Sequence, residues 1–222
     1  MNFSKRVLIA AALLTLVAES LADEPPRGAR LEITLNLQNW SALSDLQPMA
    51  GGGFNDLGLG VAAAAHWPWK QLSNSELLVG LDAGIVATTS NTFGVYGDLS
   101  ARRMFVAPSL KWVMGDTGRF AVDAGVGWHL LDIADVPSGY GTIGAEVQYW
   151  EETTIAPFLG ASWDFRPAEN ARKTAFTAGL RVHFVDFGDA HDETTAFQPA
   201  LGPAAGELAG PLIVLRLGAA WR

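Results

Sequence analysis

From Leu31 to Gln38 the chain reads Leu-Glu-Ile-Thr-Leu-Asn-Leu-Gln, aliphatic at every odd position and polar at every even one. On a helix these side chains would scatter around the axis; on a strand the four aliphatics share one face. Seven later segments carry the same period of two. Taken at alternate positions, their apolar faces run Leu57 to Trp67, Leu77 to Ile85, Met104 to Trp112, Phe120 to Leu130, Ile155 to Phe165, Phe176 to Phe184 and Pro211 to Trp221. Eight strands are therefore predicted. Pro108, Pro157 and Pro211 fall inside them, where the missing N–H predicts bulges or irregular pairing. Beyond the N-terminal region every apolar stretch is broken by Gly, Pro or a charge well before the roughly 18 residues of a membrane-crossing helix.

The opposite face of each strand is small or polar. It carries glycines such as Gly60, Gly80, Gly125 and Gly218, and the charges Glu32, Asp82, Arg103, Lys111, Asp123, Asp164, Arg181 and Arg216. Alternation alone does not say which face is inside, but three features put the apolar face outward. Residues 70–75, 115–118 and 167–171 read as short turns, and residues 41–56, 89–100, 132–152 and 188–206 as long loops. Outer-membrane barrels have that asymmetry between their periplasmic and extracellular ends. Aromatics gather at the strand ends: Trp67, Trp69, Trp112, Phe120, Trp163, Phe165 and Trp221 on the short-turn side, and Trp40, Trp128, Trp150 and Phe184 on the long-loop side. Two such clusters suit the girdles at the two membrane interfaces. Third, Arg216-Leu217-Gly218-Ala219-Ala220-Trp221 resembles the terminal signal read by the barrel-assembly machinery, without its usual final aromatic.

Together these features resemble the small eight-stranded outer-membrane proteins of the OmpA, OmpX and OmpW type, with no motif that selects one subfamily. The resemblance implies an all-β fold: a closed antiparallel eight-stranded transmembrane β-barrel with short periplasmic turns and long extracellular loops. Closure leaves no free edge, so a monomer is expected. The N-terminus fits export to that destination. Lys5 and Arg6 precede an apolar run from Val7 to Val17, and Ser20 and Ala22 are small residues suited to cleavage before Asp23. Residues 1–22 are read as a signal peptide and residues 23–222 as one barrel domain.

The chain has no cysteine, which excludes disulfides and thiolate metal sites, and its formal net charge of −8 argues against a nucleic-acid partner. An eight-stranded lumen is filled by side chains or holds one small ligand. Its charges must pair, because an isolated buried charge is very costly. The hairpin across residues 115–118 sets Lys111 directly or diagonally opposite Asp123, and closure of the first strand on the last brings Glu32 near Arg216. Asp82, Arg103, Asp164 and Arg181 extend this polar network, which is read as a plug, with a narrow polar path as its functional alternative. His66, His129 and His183 share the inner parity. A metal at the last two would need a third ligand such as Asp132 or Asp186; completion of the polar network is the simpler role. No cofactor is implied. The His-x-Ser pair of lipid A deacylases is absent, since His66, His129, His183 and His191 are followed two positions on by Pro68, Leu131, Val185 and Glu193.

Charge also divides by end. Residues 41–56, 89–100, 132–152 and 185–207 contain no Lys or Arg but many acids, among them Asp45, Asp98, Asp135, Glu146 and Asp192. The N-terminal stretch and the short turns carry Arg27, Arg30, Lys70, Arg119, Arg166, Arg172 and Lys173. Divalent cations bridging loop acids to lipopolysaccharide phosphates would suit such a rim. Arg102, with lipid-facing parity near the loop end, is the candidate for direct phosphate contact. The expected role is structural or surface-interacting in the cell envelope; a narrow gated channel is the alternative, and a lipid A-modifying enzyme a more distant one.

Overall fold

The computed structural model describes residues 28–44, 57–89, 98–114, 120–136, 148–165, 174–190 and 206–221. The expected signal peptide and most of the expected loop residues lie outside these. The strands are β1 (Arg30–Asn39), β2 (Leu57–Leu72), β3 (Ser75–Thr89), β4 (Asp98–Met114), β5 (Phe120–Val136), β6 (Gln148–Phe165), β7 (Thr174–Ala190) and β8 (Gly206–Trp221), with one short helix, α1 (Ser41–Ser44). Each strand pairs antiparallel with its sequence neighbours, and β1 also pairs with β8, from Leu31↔Trp221 to Asn39↔Ile213, so the sheet closes into a barrel. The end where β1 passes to β2, β3 to β4, β5 to β6 and β7 to β8 is called upper here; β1 begins and β8 ends at the lower end.

The faces follow the alternation. Leu35, Leu59, Leu81, Leu110, Val126, Leu159, Leu180 and Leu215 point outward and are exposed, while the charged residues of the opposite parity are buried inside. Small residues make the inner face fit. Gly80 is registered against His66, Gly84 against Phe105, Gly125 against Phe158 and Gly160 against Asp123. In each pair the larger side chain leans over the glycine, where a Cβ would come within 2.4–2.8 Å of it. Such pairs let a narrow barrel fill its own interior.

The strands run higher than the alternation predicts. β5 continues to Val136, β7 to Ala190, and β4 begins at Asp98, so parts of the expected loops are strand. Above Trp128 and Phe184 the pattern inverts. Leu131, Ile133, Trp150, Val185, Phe187, Leu208 and Leu212 are buried inside with Trp40 and Leu43 of the α1 segment, while Asp186 and Glu207 are exposed outside. Trp40 and Trp150 are therefore interior residues, not members of an upper aromatic girdle, and Trp40 packs 5.7 Å from the Phe187 ring. Trp128 and Phe184 remain exposed at the upper border of the outer apolar band.

The three prolines coincide with interruptions of pairing. Pro108 keeps its partner Leu81 on β3, but the β4–β5 ladder skips from Val106↔Trp128 to Ser109↔Gly125. Pro211 lies beyond Ile213, the last β8 residue paired to β1, so its missing N–H faces no partner on that side. Pro157 pairs with Val126, but the β6–β7 ladder runs only from Phe165↔Phe176 to Phe158↔His183 and stops beside it. Above that point β6 stays with β5 and β7 with β8. Register also shifts between Pro68 and Lys70, which leaves Trp69 as an extra residue in β2, between Ile133 and Ala134 on β5, and between Asp186 and Asp189 on β7.

Candidate functional site

The structure places Glu32, Asp82, Arg103, Lys111, Asp123, Asp164, Arg181 and Arg216 as buried side chains on the inner face and gives each its neighbours. Glu32 accepts from Lys111 Nζ and from Arg30 Nε, and its other oxygen lies 3.5 Å from Arg216 Nη2. Arg181 Nη2 donates to Asp82 Oδ1 at 2.9 Å and also to Asp123 Oδ2. Arg216 approaches both Asp82 and Asp123 at 3.8 Å. Ser109 gives its hydroxyl proton to Asp82 at 2.6 Å, so its oxygen receives the His66 Nε2 proton, 3.0 Å away. The groups come from β1, β2, β3, β4, β5, β7 and β8, so the network ties the barrel across its bore as well as around its wall.

Two placements differ from expectation. Lys111 is registered directly against Asp123, yet its ammonium reaches Glu32 on β1. Arg30 was assigned to the basic lower exterior, but it is buried in the lumen. There it grips Asp164 with two parallel bonds of 2.5 and 2.9 Å, the planar fork matching the carboxylate. Its even position in β1, the same parity as Glu32, was the available signal.

Higher in the lumen, Arg103 donates through Nε to Gln38 Oε1 at 2.8 Å and through Nη1 to His129 Nδ1 at 2.9 Å. Its guanidinium lies 4.9 Å from the Phe105 ring centre. His129, His183, Phe105 and Phe158 form a collar with ring centres 5.1 to 5.8 Å apart. The third metal ligand suggested for His129 and His183 is not on their face. Asp132 and Asp186 have outward parity, and Asp186 is exposed. Among the described residues no group of three His, Asp or Glu side chains is arranged to hold a metal ion. Arg102 does have the outward position expected of it, and there it pairs with Asp132 at 2.5 Å, with side-chain exposures of 16% and 7%.

No protein-family model and no curated protein matches the chain. Among solved structures it is similar to Neisserial surface protein A, with 9% identity, 87% of this chain and 96% of that one covered, and a TM-score of 0.46. It is similar to Ail, the attachment invasion locus protein of Yersinia pestis, solved in complex with the heparin analogue sucrose octasulfate (8% identity, 87% and 96% covered, TM-score 0.44). It is also similar to the outer membrane protein OprG from Pseudomonas aeruginosa (12% identity, 87% and 94% covered, TM-score 0.45). These neighbours are small eight-stranded outer-membrane β-barrels, the architecture that the sequence resembles.

Proposed function

We propose that this protein is a closed-lumen barrel of the Gram-negative outer membrane, serving the cell envelope as a structural or surface-interaction protein. The observation that carries the reading is the inverted distribution of side chains over the lower and middle barrel. Aliphatic and aromatic residues cover the outside there, and ion pairs fill the inside. In water that arrangement would expose far more apolar surface than a soluble monomer carries; in lipid it is the stable one. From Ile155 to Phe165, both outward and exposed, ten strand steps at about 3.3 Å and a tilt of about 40° give a band about 25 Å tall, the height of an outer-membrane apolar belt.

Contact with lipopolysaccharide belongs to the same proposal. Arg102, Asp132, Glu151 and Asp186 have outward parity just above the band, at the height of the lipid headgroups. A lipopolysaccharide phosphate reaching Arg102 would compete with Asp132, and a divalent cation would serve the carboxylate so released. The test is thermal stability in lipopolysaccharide-containing micelles, with and without chelator, for wild type and Arg102→Ala. Loss of stabilisation on chelation and in the variant is expected, and indifference to both would remove the lipopolysaccharide contact. The closed lumen is tested separately by planar-bilayer recording. Long-lived porin-sized conductance would overturn it.

A further inference from the structure

Among the described residues the lumen contains more fixed positive charge than negative, and the excess is local. The fully buried ionic side chains on its inner face are Arg30, Arg103, Lys111, Arg181 and Arg216 against Glu32, Asp82, Asp123 and Asp164. Among the described residues, every one of these cations except Arg103 has a carboxylate partner. Arg103, 1% exposed, has two neutral acceptors instead, and its Nη2 has no partner among the described residues. A guanidinium only donates, so His129 Nδ1, bonded to it, must be the acceptor nitrogen of that ring. The neutral imidazole proton then sits on Nε2. That atom is a donor, and it too is buried without a partner among the described residues, as is His183 Nδ1 in the next ring of the collar. Gly127 presents no side chain to His129 Nε2; a Cβ there would stand 2.8 Å from that nitrogen and 3.1 Å from the Ala107 Cβ.

An unmatched buried cation beside orphaned donors lacks an acceptor that carries negative charge. We propose that the lumen binds a small inorganic anion of halide size at this group, facing His129 Nε2 and His183 Nδ1 in the field of Arg103. Arg103 acts on the anion through its charge and by polarising His129, whose Nε2–H it makes a stronger donor. The neighbouring rings favour the same occupant, since aromatic edges are electropositive. The rings touch one another, with centres 5.1 to 5.7 Å apart, so a single-atom anion at the edge of the collar asks less rearrangement of it than a polyatomic oxyanion would.

The test uses the full chain refolded in detergent. Thermal unfolding is measured as sodium bromide replaces sodium gluconate at constant ionic strength, and crystals grown in bromide are examined for anomalous scattering. Bromide should raise the unfolding temperature saturably, and an anomalous peak should lie within hydrogen-bonding distance of His129 Nε2 or His183 Nδ1. Arg103→Gln removes the charge, and Gly127→Ala crowds His129 Nε2 while leaving every charge in place. Each should weaken bromide binding by about tenfold or more, the scale of one charged hydrogen bond. Water in place of an anomalous peak overturns the proposal. So does a bromide effect that persists in both variants, or a peak accompanied by no change in unfolding, which would be binding at crystal concentration only. If Arg103→Gln does not fold, Gly127→Ala and the wild-type peak decide the matter.

Discussion

Lys111 faces Asp123 across the β4–β5 hairpin, but its ammonium bonds Glu32 on the far side of the lumen. The registered neighbour is thus not the energetic partner, because Asp123 is taken by Arg181. In a double-mutant cycle, Lys111→Met and Glu32→Gln should couple by about 1–3 kcal/mol. Lys111→Met and Asp123→Asn should come closer to additivity. Denaturant midpoints in detergent provide the measurement, and the opposite ranking would place the ammonium on Asp123.

Arg30 and Asp164 should behave as a second unit. Arg30→Met alone leaves a buried carboxylate without its fork and should cost about 3–5 kcal/mol, whereas the Arg30→Met, Asp164→Leu double variant should regain much of that loss. Equal instability of single and double variants, measured by urea titration, would mean that the pair matters for packing alone.

Charge tolerance should change with height on the outer face. Leu159→Arg, in the apolar band, is expected to cost about 2–4 kcal/mol, and Asp186→Arg, above the inversion, less than about 1 kcal/mol. Equal costs would mean that lipid reaches above Phe184.

At the β1–β8 seam, a Cβ on Gly218 would stand 1.9 Å from the Ile33 carbonyl oxygen. Gly218→Val should block or greatly slow barrel closure, read as loss of the fast-migrating unheated form on a denaturing gel. Gly188 has open space around its Cβ position and a φ of +75°. Gly188→Ala should therefore cost only about 1–2 kcal/mol of backbone strain, with closure intact.

The strands, their outward faces and their order around the ring were legible because lipid and lumen impose opposite demands on alternate residues. Alternation stopped being informative above Leu130 for a physical reason. There the outside becomes water and the inside apolar, so Leu131, Asp132 and Ile133 break the phase of Phe120 to Leu130 while the strand continues. The same inversion made Trp40 and Trp150 look like girdle residues. Hairpin counting brought Lys111 and Asp123 together, directly or diagonally, but did not supply the reach of a long side chain across the bore. Arg30 was missed because it was grouped with the tail rather than with the parity of Glu32. The Arg103 environment depends on which carboxylates are already occupied, and no single strand carries that information.

The end of the β6–β7 ladder at Phe158↔His183 changes what kind of object the upper barrel is. A complete hoop shares a push at one point around its whole circumference; a slit hoop does not. Above Pro157 the wall is slit between β6 and β7, and its two lips are held by side chains that meet inside the bore, Leu131, Ile133 and Trp150 on one side with Val185, Phe187 and Leu212 on the other. The closed ladder below ends the slit at the histidine collar, so the means of holding the wall changes there from backbone pairing to side-chain packing. The upper wall therefore owes its outline to what fills it, and the wall below the collar to its own hydrogen-bonded circumference.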